Sequence, residues 1–392
     1  MTPSEQATGE KPTNEAHVRV KAIEPFAVGL PMHKPVTMAG ETVVRADNVL
    51  VRAQSETGLV GWGEAASAPT MTGETVAGMM AAIGHMTPAL LDRPADDIAG
   101  AAAAMDARMY ANSGAKAAIE MALHDLAARA ARAPLHALFG GKTRSRIAVL
   151  AVLGSTDEAA DLREAQARWS AGYRAFKIKV GLGSPEADAA RTRAISAMLK
   201  RGGDACLVCA DANQGFAVDE ALRYVAALGE CGLDFFEQPV AARDLDGMAR
   251  IAAASRVPIG ADEGIHSLDD IRRHHARKAA AGVSLKAIKL GGLRPMLEAC
   301  RLCDSLGLKF NISCKTGESS LASAAALHVA AVVSELAWGL TVTSQGLAQD
   351  VAFEPLPVER GHVAVPDRPG TGIEVDEARV RRGQPRDAKK VA

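Results

Sequence analysis

Three acids close three successive apolar runs: Asp211 in CLVCADANQG, Glu237 in DFFEQP and Asp262 in VPIGADEG. Carboxylates gathered at one point repel one another and hold on to protons unless a cation neutralises them. An all-oxygen donor set with open positions suits Mg²⁺ better than Ca²⁺, with Mn²⁺ as an alternative. The blander reading, in which each acid caps a helix or pairs with a lysine, must hold three times in a row to displace the metal site. Lysines accompany the acids. Lys177 and Lys179 lie in AFKIKV, where a period of two turns both to one side and Ile178 to the other. Lys286 closes VSLK. Ammonium groups facing a protein interior are costly unless they serve something, and a lysine beside a like charge and a metal becomes a usable base. The competing reading is that Lys286 or Lys289 only extends its head to water from a strand end.

The elements that must position these groups are legible from the rhythm of the chain. From about residue 146, short apolar runs alternate with amphipathic ones: IAVLAVL, AFKIKV, CLVCADAN, DFFEQP, VPIGADE, GVSLKAI, KFNISC and LAWGLTV. Eight such units of roughly 25–30 residues each predict a (β/α)₈ barrel of the TIM type. The acids then end the third, fourth and fifth strands, at the C-terminal face where barrel sites form. Consecutive strands are neighbours, so the three carboxylates converge. The second and sixth strands flank them, placing one ammonium on each face of a carbon held there. That arrangement suits removal of a proton from one face and its return to the other. A Rossmann sheet is the structural rival, but VGLGSPE lacks the third glycine.

The chain of 392 residues is long enough for a barrel of about 250 residues and a smaller domain. HVRVKAIEPFAV and NVLVRAQSETGLVGWGEA read as strands of an antiparallel meander, with SETG as a turn and LPMHKPVTMAGET as a loop. Residues 73–139 are alanine-rich and helical in period. The expected division is a disordered tail over 1–16, an α+β domain over 17–139, the barrel over 140–352 and a segment over 353–392 that returns to the first domain. Net charge of −1 and 4% aromatic residues speak against nucleic acid or an anionic membrane and for a small-molecule partner. The polar first residues do not read as a secretory signal, and no run approaches the ~20 apolar residues of a membrane span, so a cytoplasmic protein is expected. The basic end, Arg379, Arg381, Arg382, Arg386, Lys389 and Lys390, reads as a solvated terminus. Cys206 and Cys209 face opposite sides of a strand, and Cys300 and Cys303 lie in a helical run with no matching histidines. They read as reduced, mostly buried thiols rather than zinc ligands.

FKIKVG, DANQG, FFEQP, GADE and SLKAIKLGGL, in this order, resemble the barrel motifs of the enolase superfamily. The K-x-K with the strand-six lysine is similar to the muconate-lactonizing-enzyme subgroup of its mandelate racemase/muconate lactonizing enzyme family. WGEA and the helical run after it resemble the family's capping domain. The resemblance implies Mg²⁺ on Asp211, Glu237 and Asp262, with Lys179 and Lys286 as the acid/base pair. It implies that Lys177 tunes Lys179 and meets the substrate carboxylate, and that Asn213 and Glu263 orient ligands and lysines. The implied reaction starts by removing the proton α to a carboxylate, with the enediolate stabilised as it forms. A homo-oligomer is implied as well.

Departures from the family patterns bear on the overall reaction. Thr341, in WGLTVT, stands where cycloisomerases carry a glutamate, and Thr341 and Thr343 stand where dipeptide epimerases carry an Asp-x-Asp. Cys314 and Lys315 replace the seventh-strand histidine of mandelate racemase. Glu318 reads equally as an electrostatic helper or a helix N-terminal acid. Loops at 30–42 and 64–74 are expected to set specificity, with Met32, His33, Met38, Met71 and Thr72 as candidate lining. The leading expectation is a racemase or epimerase of an amino-acid-derived or other small carboxylate. A dehydratase or cycloisomerase is the alternative on this scaffold. A Schiff-base lysine enzyme and a non-catalytic barrel are the alternatives of other classes.

Overall fold

The computed structural model describes residues 18–38, 41–201, 203 and 205–383. The tail over 1–16 and Arg386, Lys389 and Lys390 lie outside them. The N-terminal sheet runs β1 (Val20–Met38), β2 (Glu41–Ser55) and β3 (Val60–Ala66), all antiparallel and in that order. One expectation is corrected here. The stretch expected as a loop is instead the outer part of the β1–β2 hairpin, with Val36 opposite Val43 and Thr37 opposite Thr42 after a register shift between Pro31 and Val36. β1 is an edge strand, so its prolines interrupt the ladder without breaking the central strand.

Four helices follow: α1 (Val76–Met86), α2 (Ile98–Arg108), α3 (Ser113–Ala130) and the short α4 (Leu135–Leu138). The alanine-rich α3 is buried along almost its whole length, as befits a helix apolar all round. Gly61 and Gly63 face it from β3, and a β-carbon on either would collide with the backbone of Ala118 or Ala122. The strand therefore lies directly on the helix backbone. α3 also reaches the barrel, where Glu120 accepts the N–H groups of Leu293 and Arg294, both at 2.8 Å.

The barrel sheet contains β5 (Ala151–Leu153), β6 (Ala175–Lys179), β7 (Leu207–Asp211), β8 (Phe235–Glu237), β9 (Ile259–Ala261), β10 (Gly282–Leu285), β11 (Lys309–Ser313) and β12 (Leu340–Thr341), parallel neighbours in chain order. A parallel bridge from Val149 to Leu340 closes the ring. The first expected run proves to be two strands. β4 (Arg146–Ala148) pairs antiparallel with β13 (His362–Ala364), and only the second half of IAVLAVL enters the barrel. The helices are α5 (Glu158–Ser170), α6 (Pro185–Leu199), α7 (Val218–Leu228), α8 (Leu245–Ala254), α9 (Leu268–Ala276), α10 (Ala287–Leu290), α11 (Leu293–Leu306), α12 (Ser320–Val332) and α13 (Glu377–Arg382). Side chains of Asp157, Ser184, Asp244 and Ser267 cap α5, α6, α8 and α9 at their N-termini, which is why those helices begin there.

The barrel floor is apolar. Phe235 and Trp338 stack with centroids 4.1 Å apart, beside Cys209, Leu150 and Ala175. Gly260 and Gly282 leave room for the indole, since a β-carbon on either would come within 3.0 Å of it. Polar inward-facing residues are thereby confined to the upper layers. All six cysteines are free thiols, and Cys209 is part of this plug. The C-terminal segment runs back over α3: Thr371 N–H donates to Asp125 at 2.7 Å and Arg129 to the Ile373 carbonyl at 2.8 Å. The basic end is not wholly solvated, because Arg379 donates to the Asp350 carbonyl at 2.6 Å and Arg381 lies over the Phe26 ring. No helix among the described residues is long and apolar enough to cross a membrane.

The close approach of β3 to α3 is testable. Gly63→Ala should destabilise the fold by about 1–3 kcal/mol through overpacking, read as a lowered denaturant midpoint. An unchanged midpoint would mean that strand and helix are not in backbone contact.

Candidate active site

Register builds the site. Lys179 lies opposite Asp211, Asp211 opposite Glu237, and Glu237 opposite Gly260. Asp262 follows directly on β9, and Lys286 directly on β10. All of these side chains are buried at the C-terminal mouth. Lys179 Nζ donates to Asp211 Oδ2 at 2.7 Å and to Asn213 Oδ1 at 2.6 Å. Lys177 pairs with Glu237 and stands 3.6 Å from Asp211. Across the mouth Lys286 pairs with Asp262. Asn213 passes a hydrogen bond on to Glu263 at 3.1 Å. It can do so because its backbone is left-handed, with φ of 43°, a conformation asparagine tolerates.

Three residues were missed or given only their blander role. Lys289, expected at most to reach for water, has a fully buried head group donating to Asp262 Oδ1 at 2.5 Å and to the Ser284 carbonyl at 2.9 Å. It follows Lys286 by three residues on α10, a spacing visible in KAIK. Ser284 donates to Glu237 Oε1 at 2.5 Å, and the period of two in VSLK places it on the face of Lys286. Gln238 accepts the Asp262 N–H at 2.8 Å and holds the exit of β9. Nothing in FFEQP distinguishes that role.

Charge balance decides the protonation pattern. Burial disfavours the Lys177 ammonium, but the Glu237 and Asp211 carboxylates outweigh it and hold its pKa well above the ordinary lysine value. Lys286 is raised in the same way by Asp262. Both lysines are therefore held charged by their carboxylate partners. For Lys289 burial prevails and its pKa falls. Burial also opposes the Asp211 and Asp262 carboxylates, but the lysines outweigh it and both pKa values drop. Glu237 is raised by burial, with Asp211 and Asp262 adding to the effect. Burial and the same two charges push Glu263 up to about 7.

Among the described residues, no group of three His, Cys, Asp or Glu side chains closes on one point as a metal cage. Ammonium groups lie between the carboxylates instead. The donor set nevertheless fits a hard cation. It consists of three buried carboxylates on successive strands, and the Oε2 atom of Glu263 beside them is buried without a partner.

The candidate substrate contacts scatter. Met38 reaches the loop after β11, where Thr316 donates to its sulfur at 3.7 Å. Thr341 ends β12 with its buried hydroxyl unpartnered. Glu318 accepts the Lys315 N–H at 2.8 Å, and burial together with the Glu64 charge pushes it up to about 8. Thr72 bonds within its own loop, to Ala68 and Glu74. Met32 bridges to Leu347, Met71 packs on the core of the N-terminal domain and His33 is exposed.

Residues 22–140 match the family model described as mandelate racemase / muconate lactonizing enzyme, N-terminal domain, and residues 160–379 match enolase C-terminal domain-like. The chain belongs to this family of the enolase superfamily. A chloromuconate cycloisomerase of Cupriavidus pinatubonensis is 34% identical over 360 residues, 91% of this chain and 96% of that relative. An N-succinyl-L-Arg/Lys racemase of Bacillus cereus is 31% identical over 372 residues, 92% and 96% respectively. The crystal structure of a muconate lactonizing enzyme from Pseudomonas fluorescens, complexed with muconolactone, superposes with a TM-score of 0.88 at 30% identity, covering 94% of this chain and 100% of that one. These relatives are isomerases, and this family member is an enzyme of that class.

Two outcomes follow from its buried charges. Asp262→Ala leaves the Lys286 and Lys289 ammoniums without their carboxylate and should cost about 3–5 kcal/mol, measured by denaturant unfolding; an unchanged midpoint would show that the pairs do not form. Glu318 binds its proton more tightly folded than unfolded, so the stability it contributes is fully present below its ordinary pKa of 4.5 and is lost as pH rises through about 8. Glu318→Gln should therefore flatten the fall in melting temperature between those limits. A variant whose pH profile overlays the parent's would contradict the shift.

Proposed function

We propose that this enzyme abstracts the proton α to a carboxylate and returns it to the opposite face, as a racemase or epimerase of an amino-acid-derived or other small carboxylate. The observation that carries the reading is the placement of Lys179 and Lys286 on β6 and after β10, on either side of the strands that present Asp211, Glu237 and Asp262. Mg²⁺, with Mn²⁺ as a substitute, would be held by those three carboxylates and would supply positive charge to a substrate carboxylate and to the negative charge that develops on it. Lys179, held by Asn213, takes the proton on one face, and Lys286 delivers one on the other. Lys177, charged and pinned between Glu237 and Asp211, adds a fixed positive charge beside the substrate carboxylate. Glu263 orients Asn213 through their hydrogen bond.

Thr341 supports racemisation over cycloisomerisation, because it offers a neutral hydroxyl at the position where cycloisomerases of the family are expected to carry an acid. A cycloisomerase is the second reading, favoured by the 34% identity to a chloromuconate cycloisomerase. We also propose that the domain expected over 17–139 caps the barrel expected over 140–352, that the C-terminal segment expected from 353, so far as it is described, returns to that domain after β13 has paired with β4, and that the protein acts in the cytoplasm as a homo-oligomer.

The test is proton exchange in D₂O across a set of N-acylated amino acids and hydroxy acids, followed by NMR. Racemisation by two bases predicts deuterium at the α-carbon of both recovered substrate and product. Lys179→Ala and Lys286→Ala should each lower turnover by roughly 10²–10⁴-fold. Turnover left intact in both variants would rule the mechanism out.

A further inference from the structure

The mechanism leaves unused a buried ion cluster on the outer side of β6. Arg191 of α6 is 3% exposed, Asp188 of the same helix 4%, and Asp161 of α5 1%. The guanidinium pairs with Asp161 and, at 2.9 Å, with Asp188. Two carboxylates on one guanidinium, removed from water, are poor value as stability, since apolar side chains of similar volume commonly do as well or better. What the cluster grips is more telling.

Arg191 Nη2 donates to the backbone carbonyl of Lys179 at 2.6 Å. Two residues on, the N–H of Gly181 donates to Asp188 Oδ2 at 2.8 Å. Gly181 has φ of +85°, and a β-carbon there would come 3.1 Å from the Ala212 carbonyl oxygen. The chain leaving β6 is thus held by a charged donor on one peptide and a charged acceptor on the next. Asp161 Oδ1 takes both the N–H and the hydroxyl of Ser155, at 3.0 and 2.8 Å, in the loop after β5. Next to Ser155, Gly154 abuts the Lys179 stem, whose Cγ would lie 3.4 Å from a β-carbon on that glycine. The cluster therefore fixes the backbone that carries Lys179 and the wall along which its side chain runs. The chain leaving β10 is held differently: the Lys286 carbonyl accepts the backbone N–H groups of Lys289 and Leu290, at 3.1 and 3.2 Å, as α10 begins, with no buried guanidinium on it among the described residues.

We propose that Arg191, oriented by Asp161 and Asp188, is a positioning residue for Lys179 and for that lysine alone. The inference rests on the reading of Lys179 and Lys286 as the two bases. Small misplacements of a reacting group are expensive, about a hundredfold in rate for an ångström. Arg191 should therefore act on the rate of one proton transfer and not on substrate binding.

The test compares the Mg²⁺-loaded parent enzyme with Arg191→Met, Arg191→Lys and Asp188→Asn. One readout needs no substrate: the rate at which acetic anhydride labels Lys179 and Lys286, resolved by peptide mass spectrometry. The other is α-proton exchange in D₂O from each enantiomer of an N-succinyl amino acid. Arg191→Met should change labelling of Lys179 several-fold and leave Lys286 within error. Exchange from one enantiomer should fall by roughly tenfold to a hundredfold, exchange from the other far less, with KM nearly constant. Arg191→Lys should recover part of the loss. Should Arg191→Met fail to fold, Asp188→Asn, which keeps shape and removes one charge, carries the same comparison. Equal loss for both enantiomers and both lysines, or no change in either readout, overturns the proposal. Selective labelling with no exchange in the parent enzyme upholds the positioning role and overturns the two-base reading instead.

Discussion

Burying several like charges in a barrel mouth is possible only if each meets an opposite one, and most of this structure is arranged around that requirement. Asp211, Glu237 and Asp262 would be untenable together in a dry site. Lys177, Lys179, Lys286 and Lys289 answer them at hydrogen-bonding range. The arrangement depends on register: one residue of slip in any strand would turn its charge from the barrel interior to the helix layer. The apolar floor of Phe235, Trp338 and Cys209 enforces the same boundary from below.

The same device recurs where the two halves of the molecule meet. Glu64 on β3 accepts from Asn48, from both the N–H and the hydroxyl of Ser319, and from the Ala322 N–H at the start of α12. Glu120 on α3 does so at the start of α11. In each case a buried carboxylate on the N-terminal domain satisfies the free N–H groups of a barrel helix, where the helix dipole favours negative charge. The docking is thus polar and directional. It sets the outer part of the β1–β2 hairpin near the loops after β11 and β12, where Met32 bridges to Leu347 and Met38 meets Thr316.

Much of this was legible in the sequence because strand periodicity and strand order together fix which side chains share a face. K-x-K, the three strand-end acids and Lys286 needed only those two rules. Lys289 was visible but ambiguous, since KAIK turns helical immediately after β10 and its head group points inward only in the folded barrel. The splitting of IAVLAVL was not legible, because the partner of β4 is β13, far along the chain. The hairpin through LPMHKPVTMAGET escaped notice because its prolines signal a loop unless the strand is known to lie at an edge. The raised pKa of Lys177 was also out of reach, since it depends on distances to Glu237 and Asp211 that only the register sets.

The central claim is that the three carboxylates form a single cation site whose charge the lysines share. Calorimetric titration of Mg²⁺ into metal-stripped protein, with Glu237→Gln as the comparison, tests it most directly. The account predicts saturable binding at a single site in the parent chain and loss of that binding when Glu237 becomes neutral. Absence of saturable binding in the parent, or equal affinity in the variant, would contradict it.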